Sequence, residues 1–312
     1  MYDFSKYIDE SMASIDKLSL PAGGNVSLFV KRIDLVHPVI SGNKWYKMKY
    51  NIAEMKKAGI GTLVTLGGAY SNHIHAVAEA GSIFGFSTIG LIRGEEHLPL
   101  NPTLDYAVRK GMELHYVDRT SFRKRDTEEF AQWIRDKFGE VYVLPVGGSN
   151  ALAVKGCAEI AEQIDIDFDY ISCSCGSGGT LAGIIEGLSG EKFALGFPAL
   201  RGAYFLKDDI NRLIHDYSGK QYSNWELQTE YHFGGFGKVN KELADFMNKF
   251  EEMNNIKTEP LYTAKMFYGL NDLIQNKFFP DNSRIIAVHT GGLQGIPGMM
   301  TKMNKLQQNQ DP

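Results

Sequence analysis

Three short segments of this chain carry residue types that could act together on a small molecule. Lys44 closes the segment Ser41-Gly42-Asn43-Lys44, and a Ser-Asn pair closes Gly67-Gly68-Ala69-Tyr70-Ser71-Asn72. A glycine-rich turn, Cys175-Gly176-Ser177-Gly178-Gly179-Thr180, follows an apolar run. A lysine amine forms imines with carbonyl compounds, and backbone N–H groups of a glycine-rich turn at a helix start can bind phosphate. The three segments therefore predict covalent chemistry at a lysine beside a bound phosphate.

Lys44 has a simpler interpretation as a surface lysine near a helix N-cap formed by Ser41 or Asn43. Two features favour the functional one. The preceding glycine permits close backbone approach, and Trp45 and Tyr46 can exclude water from the amine. Because burial disfavours the charged form, it lowers the pKa of an amine and helps imine chemistry.

The glycine-rich turn follows a predicted strand and opens a predicted helix. Ser177 and Thr180 add hydroxyl donors to its backbone N–H groups. An ordinary tight strand-to-helix turn is the alternative. The third glycine of a dinucleotide-binding fingerprint is replaced by Leu181, and no Gly-Lys-Ser/Thr closes a nucleotide-binding P-loop.

Ser71 and Asn72 open another predicted helix, so N-capping by Ser71 is the simpler interpretation. The functional interpretation uses the same physics: free N–H groups there could hold a substrate carboxylate, while the Asn72 amide bonds a phenolic cofactor oxygen. His73 and His75 stand two residues apart and diverge on a helix, which disfavours a metal site.

A further segment, Tyr262-Thr263-Ala264-Lys265, begins a helix after Pro260. Thr263 is a simple N-cap in the structural interpretation, whereas Tyr262 could stack on an aromatic ring or donate a proton. Together with the lysine and the glycine-rich turn, these residues suit an amino-acid enzyme that holds pyridoxal phosphate on Lys44 as a Schiff base.

Composition excludes several other classes of protein. The 312 residues are 43% hydrophobic and 22% charged, which is typical of a globular protein with a real core. The net charge is −4, and the densest basic run, Arg123-Lys124-Arg125, leads at once into acidic residues. That run favours a solvated helix face, and the balance argues against nucleic-acid binding. No apolar run is long enough for a membrane span, and the first residues, Met1-Tyr2-Asp3-Phe4, do not resemble a signal peptide.

The three cysteines, Cys157, Cys173 and Cys175, provide no disulfide framework. Cys173 and Cys175 alternate along one apolar run, so they should face the same side and pack in the core. No second Cys/His pair stands at zinc spacing, so we expect no metal site. A reducing, cytoplasmic location is the default expectation.

Strand-like and helical patterns alternate almost throughout, which predicts an α/β fold with parallel sheets covered on both faces. About ten strands are too many for one comfortable sheet, so we expect two domains. The predicted strands are 26–34, 62–66, 88–92, 112–117, 141–145, 170–175, 193–197, 226–232 and 284–290. The predicted helices are 43–58, 71–85, 101–110, 121–138, 151–164, 179–188, 204–217, 240–253 and 263–276. Residues 307–312 are polar and are expected to be disordered.

Several motifs in this order resemble the family of 1-aminocyclopropane-1-carboxylate (ACC) deaminases and D-cysteine desulfhydrases. That family belongs to the tryptophan-synthase-β-like, fold type II class of pyridoxal phosphate enzymes. The resemblance runs through nearly the whole chain. It rests on Lys31-Arg32-Ile33-Asp34, Ser41-Gly42-Asn43-Lys44, Gly67-Gly68-Ala69-Tyr70-Ser71-Asn72, Gly147-Gly148-Ser149-Asn150, the turn at 175–180, Pro260-Leu261-Tyr262-Thr263-Ala264-Lys265 and His289-Thr290-Gly291-Gly292.

The resemblance implies a cofactor, its contacts and a division of the chain. Pyridoxal 5'-phosphate would be bound to Lys44 and contacted by Asn72, Cys175, Gly176, Ser177, Gly178, Gly179, Thr180, Tyr262, Thr263 and Thr290. The small amino-acid substrate would be bound by Ser71, Asn72 and His73, with Lys44, Ser71 and Tyr262 as catalytic residues. A smaller domain, 45–145, would be inserted into a larger one made of 1–44 and 146–312, and a homodimer is implied.

Two threonines favour the desulfhydrase branch of this family. The deaminase branch has Glu after the late Tyr and Leu after the late His, where this chain has Thr263 and Thr290. A neutral hydroxyl beside the pyridine nitrogen makes a weaker electron sink than a carboxylate, which suffices to expel a β-thiol but not to open a cyclopropane. The expected activity is α,β-elimination on D-cysteine to pyruvate, ammonia and hydrogen sulfide.

One departure keeps other functions open. Phe236 stands where the family usually has a second active-site Tyr, so proton transfer from that side loses a hydroxyl. The enzyme alternatives are ACC deaminase and other D-amino-acid lyases or deaminases, acting for example on D-serine or β-chloro-D-alanine. A non-catalytic pyridoxal phosphate carrier or amino-acid-binding protein is an alternative of a different class, and a nicotinamide dehydrogenase is disfavoured by Leu181.

Overall fold

The computed structural model describes residues 3–20, 25–299 and 303. The strands in chain order are β1 (Ile15–Leu18), β2 (Ser27–Lys31), β3 (Thr62–Gly67), β4 (Ser87–Arg93), β5 (Met112–Val117), β6 (Tyr142–Leu144), β7 (Tyr170–Cys175), β8 (Phe193–Pro198), β9 (Trp225–Leu227) and β10 (Arg284–Val288). The helices are α1 (Asn43–Lys57), α2 (Asn72–Phe84), α3 (Pro102–Arg109), α4 (Arg119–Arg123), α5 (Glu128–Phe138), α6 (Ala151–Glu162), α7 (Gly179–Leu188), α8 (Leu206–Ser218), α9 (Lys241–Asn254) and α10 (Thr263–Gln275).

The strands form two sheets. A six-stranded sheet has the order β1-β2-β10-β7-β8-β9, and a four-stranded sheet has the order β5-β4-β3-β6. Every pairing is parallel except that of β1 with β2. The predicted α/β fold class is confirmed. Strand β1 was missed because its four residues, Ile-Asp-Lys-Leu, give too short an apolar pattern to separate from a turn.

Close helix packing positions the segments of interest. Helix α6 contacts both α1 and α7. A Cβ atom added to Gly156 of α6 would lie 1.9 Å from the backbone oxygen of Tyr46, and one on Gly183 of α7 would lie 2.3 Å from Cβ of Cys157. Glycine at these two positions therefore lets three helices approach closely. Helix α1, which carries Lys44 in its first turn, and the helix that follows the glycine-rich turn are thus held together.

Two predicted elements are wrong in extent. The helix predicted over 121–138 is two helices, because α4 ends at Arg123 and Thr127 caps α5 by accepting the backbone N–H of Phe130 at 3.3 Å. The basic run therefore lies at a helix break and not along a helix face. The strand predicted over 226–232 stops at Leu227, because the chain then enters turns that include positive φ angles at Phe233, Gly234, Gly235 and Gly237.

The remaining expectations concern the cysteines, membrane spans, the two ends of the sequence and the domain boundary. Cys173 and Cys175 are both buried in the core, as predicted. No helix in the described part of the chain is both long and apolar enough to cross a membrane. The N-terminal Met1-Tyr2 and the polar tail 307–312 lie outside the described residues. Helix α1 is continuous from Asn43, so a domain boundary at residue 45 would run through its first turn.

Candidate active site

Lys44 lies in the first turn of helix α1, beside the turn that follows β10. Gly42 adopts φ 66°, and a Cβ atom there would lie 2.0 Å from the backbone oxygen of Thr290. The N–H of Asn43 points at the same oxygen, 3.4 Å away. Because only glycine fits between these backbones, the sequence around Lys44 is built to meet the His289-Thr290-Gly291-Gly292 turn.

The Lys44 side chain is half-buried, and its amine donates to Oδ1 of Asn43 at 2.6 Å. Asn43 in turn donates through Nδ2 to Oγ1 of Thr180 at 2.8 Å, which ties the lysine to the glycine-rich turn. Burial, reinforced by the nearby charge of Lys47, lowers the pKa of Lys44 to about 7. A substantial fraction of this amine is therefore uncharged and nucleophilic at neutral pH.

Asn72 and Lys44 line the same cavity. A Cβ atom on Gly292 would lie 2.7 Å from Nδ2 of Asn72, and Gln294 donates to Oδ1 of Asn72. Gln294 also accepts the hydroxyl proton of Thr103 at 3.0 Å, so it fixes the Asn72 amide against the β10 turn. The cavity, of about 420 Å³, is lined by Lys44, Asn72 and Gln294 together with Ser41 and Gly292. Sequence reasoning missed Gln294, which gives no signal of its own.

Ser71 is the N-cap of α2, as its simpler interpretation predicts. Its hydroxyl oxygen accepts the backbone N–H groups of His73 at 3.2 Å and Ile74 at 3.3 Å. The N–H groups of this helix start are therefore not all free. The N–H of Asn72 is the one left without a partner among the described residues, and it stands beside the Ser71 hydroxyl. A carboxylate at this end would meet that N–H and that hydroxyl.

A different arrangement is found at the start of α7. Gly178, the N-cap residue, has φ 78° and no side chain caps the helix. Lys47 fills the space in front of it, with Nζ donating to the backbone oxygen of Gly147 at 3.0 Å, Oγ of Ser149 at 3.0 Å and Oγ of Ser177 at 3.3 Å. An uncapped helix start, hydroxyl groups and a buried ammonium together form an anion site.

Lys47 and Ser149 were missed as site residues. The spacing of Lys47 carried a usable signal, because residues three apart share a helix face and Lys44 was already a candidate. Ser149 lies in Gly147-Gly148-Ser149-Asn150, a motif that contributes to the family resemblance but received no role in the predicted site. A Cβ atom on Gly179 would lie 2.4 Å from Oγ of Ser149, so this serine is packed directly against the glycine-rich turn.

The start of α10 carries a buried carboxyl group that sequence reasoning missed. Glu259 is fully buried, and its carboxylate accepts the N–H groups of Leu261 at 2.7 Å, Tyr262 at 2.9 Å and Thr263 at 2.7 Å. Burial nevertheless raises the pKa of Glu259 to about 7. Thr263 is therefore not the N-cap. Its hydroxyl lies 3.3 Å from Oε1 of Glu259, so it is already engaged with this carboxyl group.

Tyr262 lies against the glycine-rich turn from the other side. A Cβ atom on Gly176 would lie 3.2 Å from its ring and 3.3 Å from its hydroxyl oxygen. Its ring also meets that of Phe236 edge-on, with centroids 5.8 Å apart. Burial raises the pKa of Tyr262, so the phenol keeps its proton. Thr290 pairs with Ser174, with 3.0 Å between the two hydroxyl oxygens.

His73 is buried, and neither of its ring nitrogens has a hydrogen-bond partner in the described structure. Burial, and then the charges of Lys44 and Lys47, hold its pKa well below the usual value, so the imidazole is neutral. Its ring lies beside Gly148, where a Cβ atom would come within 2.7 Å. Buried polar atoms without partners are rare, and they point to a ligand or an ordered water at this position.

The residues present fit pyridoxal phosphate. Lys44 supplies an amine with a lowered pKa, the start of α7 supplies a phosphate cradle, and the nitrogens of the buried His73 ring are without partners in the described structure. Cys175 ends β7 with its thiol buried, and it leads into the turn at 176–180. No group of three or more His, Cys, Asp or Glu side chains suited to a metal ion occurs within the described ranges.

Fold and site together define an enzyme class that holds an aldehyde cofactor on a lysine and its phosphate on a helix start. The sequence profile of the family described as pyridoxal-phosphate dependent enzyme matches residues 11–291. This chain therefore belongs to the family of pyridoxal-phosphate-dependent enzymes, and its cofactor is pyridoxal 5'-phosphate.

Individual relatives indicate a group within this family to which the chain is similar in sequence and structure. A protein of Pyrococcus horikoshii named putative 1-aminocyclopropane-1-carboxylate deaminase is 31% identical over 293 residues, covering 90% of this chain and 88% of that one. A mitochondrial protein of Arabidopsis thaliana named bifunctional D-cysteine desulfhydrase/1-aminocyclopropane-1-carboxylate deaminase is 28% identical, covering 95% and 80%. The crystal structure of an ACC deaminase homologue is similar with a TM-score of 0.82, at 27% identity and 97% coverage of both chains. The resemblance to this group and the fold type II architecture are confirmed.

Proposed function

We propose that this enzyme is a lyase that carries out α,β-elimination on D-cysteine, consuming one water and releasing pyruvate, ammonia and hydrogen sulfide. The observation that carries the proposal is the environment of Lys44. Its amine has a pKa of about 7, it is linked through Asn43 to Thr180, and it opens on a cavity shared with Asn72. An amine that is neutral near pH 7 can hold an aldehyde and can also accept a proton from carbon.

Bound pyridoxal phosphate supplies an electron sink for the charge that develops when the substrate Cα–H bond breaks. Side chains and backbone groups of the protein bind the substrate and transfer the protons. The Asn72 N–H and the Ser71 hydroxyl bind the substrate carboxylate. Lys44, released as a free neutral amine, would accept the Cα proton at Nζ. The sulfur leaves with the electron pair of the Cβ–S bond, and the phenol of Tyr262 is a proton donor for it.

The choice of D-cysteine rests on Thr263 and Thr290, which offer hydroxyl groups and no charge. ACC deamination is the second candidate, and Glu259 is the observation in its favour. Its carboxyl group accepts a hydrogen bond from the hydroxyl group of Thr263. A negative charge on Glu259 could therefore strengthen the electron sink of the cofactor through the Thr263 hydroxyl. The names of the Pyrococcus and Arabidopsis relatives support both activities.

Parallel assays of the pyridoxal-phosphate-loaded protein with D-cysteine, L-cysteine and ACC would test the proposal. Sulfide and pyruvate from D-cysteine, with no keto acid from ACC, are expected. Keto acid from ACC would mean that the two threonines do not decide the branch. A Glu259→Gln variant that loses only ACC turnover would assign that activity to the buried carboxyl group.

Phe236 bears on the alternative of a non-catalytic carrier or amino-acid-binding protein. Its ring touches Tyr262 and brings no hydroxyl to that side. A yellow protein that turns over none of these substrates, nor D-serine or β-chloro-D-alanine, would favour that alternative. If elimination occurs, Phe236→Tyr should change its rate only a few-fold, because Tyr262 already supplies a protonated phenol.

We further propose a cytoplasmic homodimer and the division into a smaller domain, 45–145, and a larger one formed by 1–44 and 146–312. The composition of the sheets supports this division. All four strands of the smaller sheet lie between Thr62 and Leu144, and the six strands of the larger sheet lie outside that range.

A further inference from the structure

A second cavity, of about 470 Å³, lies at the carboxyl ends of β3, β4 and β5. Four arginines line it. Arg93 ends β4, Arg119 and Arg123 belong to α4, and Arg125 follows that helix. Carboxyl ends of parallel strands are the usual position of ligands in α/β sheets. None of the predicted cofactor or substrate residues lines this cavity, which we call the arginine pocket.

The charge in the arginine pocket is unbalanced. Its lining holds one carboxylate, Glu95, against the four guanidinium groups. Arg93, Arg119 and Arg123 make no ion pair and no side-chain hydrogen bond with any residue in the described part of the chain. Three unpaired guanidinium groups thus converge on one space in a chain whose net charge is −4.

The neighbouring charges of the same basic run are used differently. Lys124 turns to Glu129, with 3.8 Å between Nζ and Oε2, and does not line the cavity. Arg125 reaches Asp126 at 3.4 Å and the backbone oxygen of Phe122 at 3.4 Å. Within this run, Lys124 and Arg125 are therefore paired with carboxylates and Arg123, among the described residues, is not, while Arg123 and Arg125 line the cavity and Lys124 stays outside it.

The chemistry of this lining identifies a class of ligand. Guanidinium groups bind phosphate and carboxylate with two parallel hydrogen bonds and keep their charge at any physiological pH. A cavity of about 470 Å³ lies in the usual size range for small-molecule sites and has room for a ligand larger than a single oxyanion. His97 adds an imidazole, and the buried ring of Phe122 lies beneath.

We propose that the arginine pocket binds a small organic polyanion, a metabolite with at least two phosphate or carboxylate groups. The site is separate from the phosphate cradle at the start of α7. It adjoins the turn that carries the substrate residues, since Nη2 of Arg93 lies 3.9 Å from where a Cβ atom of Gly68 would stand. The N–H of Ser71 donates to the backbone oxygen of Gly68 at 3.0 Å within that turn.

Calorimetric titration of the full-length, pyridoxal-phosphate-loaded protein tests this proposal, because bound cofactor blocks the other phosphate site. Pyrophosphate, citrate and inorganic phosphate are the probes, compared at constant ionic strength. One site per chain is expected for pyrophosphate or citrate, and the tighter of these two distinguishes a phosphorylated from a carboxylated ligand. Inorganic phosphate should bind at least tenfold more weakly.

Variants assign the binding to the pocket. Arg93→Gln and Arg123→Gln should each weaken it about tenfold or more, as expected for the loss of a charge-assisted hydrogen bond. Lys124→Gln is the matched control, since it removes one positive charge next to Arg123 but outside the cavity. Absence of saturable binding by pyrophosphate and citrate, equal binding of inorganic phosphate, or equal weakening by Lys124→Gln would each overturn the proposal. All three side chains are exposed, and an unchanged visible spectrum of the bound cofactor checks folding.

Discussion

Two regions of this protein concentrate positive charge, and they do so in opposite ways. Around the glycine-rich turn, Lys47 is buried with three oxygen acceptors, and Lys44 is half-buried with one. Burial lowers the pKa of both amines. In the arginine pocket, Arg93, Arg119 and Arg123 are exposed and unpaired within the described structure.

The contrast follows from what each side chain can do. A lysine taken out of water loses its charge readily, which gives a nucleophile and a base near pH 7. An arginine does not lose its charge under any condition that the fold survives, so it can bind an oxyanion but cannot exchange protons with it. We therefore assign covalent chemistry and proton transfer to Lys44 and binding alone to the arginines.

Removing the amine of Lys44 is expected to have the largest effect. Lys44→Ala should abolish the visible absorption of the lysine-bound cofactor and lower any elimination rate by roughly 10³-fold, within the range typical of a lost acid–base group. Absorption spectra and turnover measurements check this. Lys57→Ala is the matched control, because Lys57 lies on the same helix and is 80% exposed. An unchanged spectrum in the Lys44 variant would remove the basis of the proposed function.

Lys47 should matter for holding the cofactor. Lys47→Met keeps the unbranched apolar part of the side chain but removes its charge, so the dissociation constant for pyridoxal phosphate should rise about 10- to 100-fold, the usual value of a charge-assisted hydrogen bond. Equilibrium titration with the cofactor measures it, with Lys57→Met as control. If Arg93→Gln weakened cofactor binding as much as Lys47→Met does, the two cationic regions would not be separate sites.

The sequence predicted more of the fold than of the site. Short apolar runs between helical segments placed nine of the ten strands found in the described residues, since buried parallel strands are apolar along most of their length. The break at Thr127 escaped detection because the residues on both sides of it have helical composition. The early end of β9 escaped because the turns that follow it depend on positive φ angles at Phe233 and three glycines.

At the site, local motifs identified the residues that act through their own type and position. Lys44, Ser71 and Gly176 belong to segments whose glycines or caps are visible in the sequence. Glu259 and Gln294 could not be found in this way. Each acts by supporting another residue of the site. Glu259 accepts the backbone N–H of Thr263 at the start of α10, and Gln294 holds the Asn72 amide across 222 positions of sequence.

The pH dependence of cofactor capture should sharpen the contrast between lysine and arginine. With a pKa of about 7, Lys44 of the cofactor-free protein should react with pyridoxal phosphate about tenfold faster at pH 6 than at pH 5, and the rate should level off above about pH 8. A lysine with an ordinary pKa near 10.4 would still gain about tenfold between pH 8 and pH 9. Stopped-flow absorbance follows the reaction, and Lys44→Ala gives the background from other amines. Anion binding to the arginine pocket should show no such step near pH 7.

The stability of the fold tests whether burial moves the pKa of an anion in this site as it moves that of a cation. Burial raises the pKa of Glu259 to about 7 in the folded protein, above its value in the unfolded chain. The folded state therefore binds more protons than the unfolded state between about pH 4.5 and 7, so Glu259 makes the free energy of unfolding fall as pH rises through that window. Glu259→Gln cannot ionise and should not show this loss.

The measurable quantity is the difference in free energy of unfolding between the natural protein and the Glu259→Gln variant, from urea titrations at pH 5 and pH 8. The variant gives up part of its contacts with the N–H groups of Leu261, Tyr262 and Thr263 at both pH values, so that loss cancels between them. Relative to the natural protein, the variant should gain about 2 to 3 kcal/mol from pH 5 to pH 8, the linkage free energy of a carboxyl group whose pKa moves from 4.5 to about 7. A difference that stays constant, or one of opposite sign, would mean that the three N–H groups hold this carboxylate ionised despite its burial. Thr263 would then have a full negative charge behind it, and the argument from weak electron sinks that separates D-cysteine from ACC would lose its force.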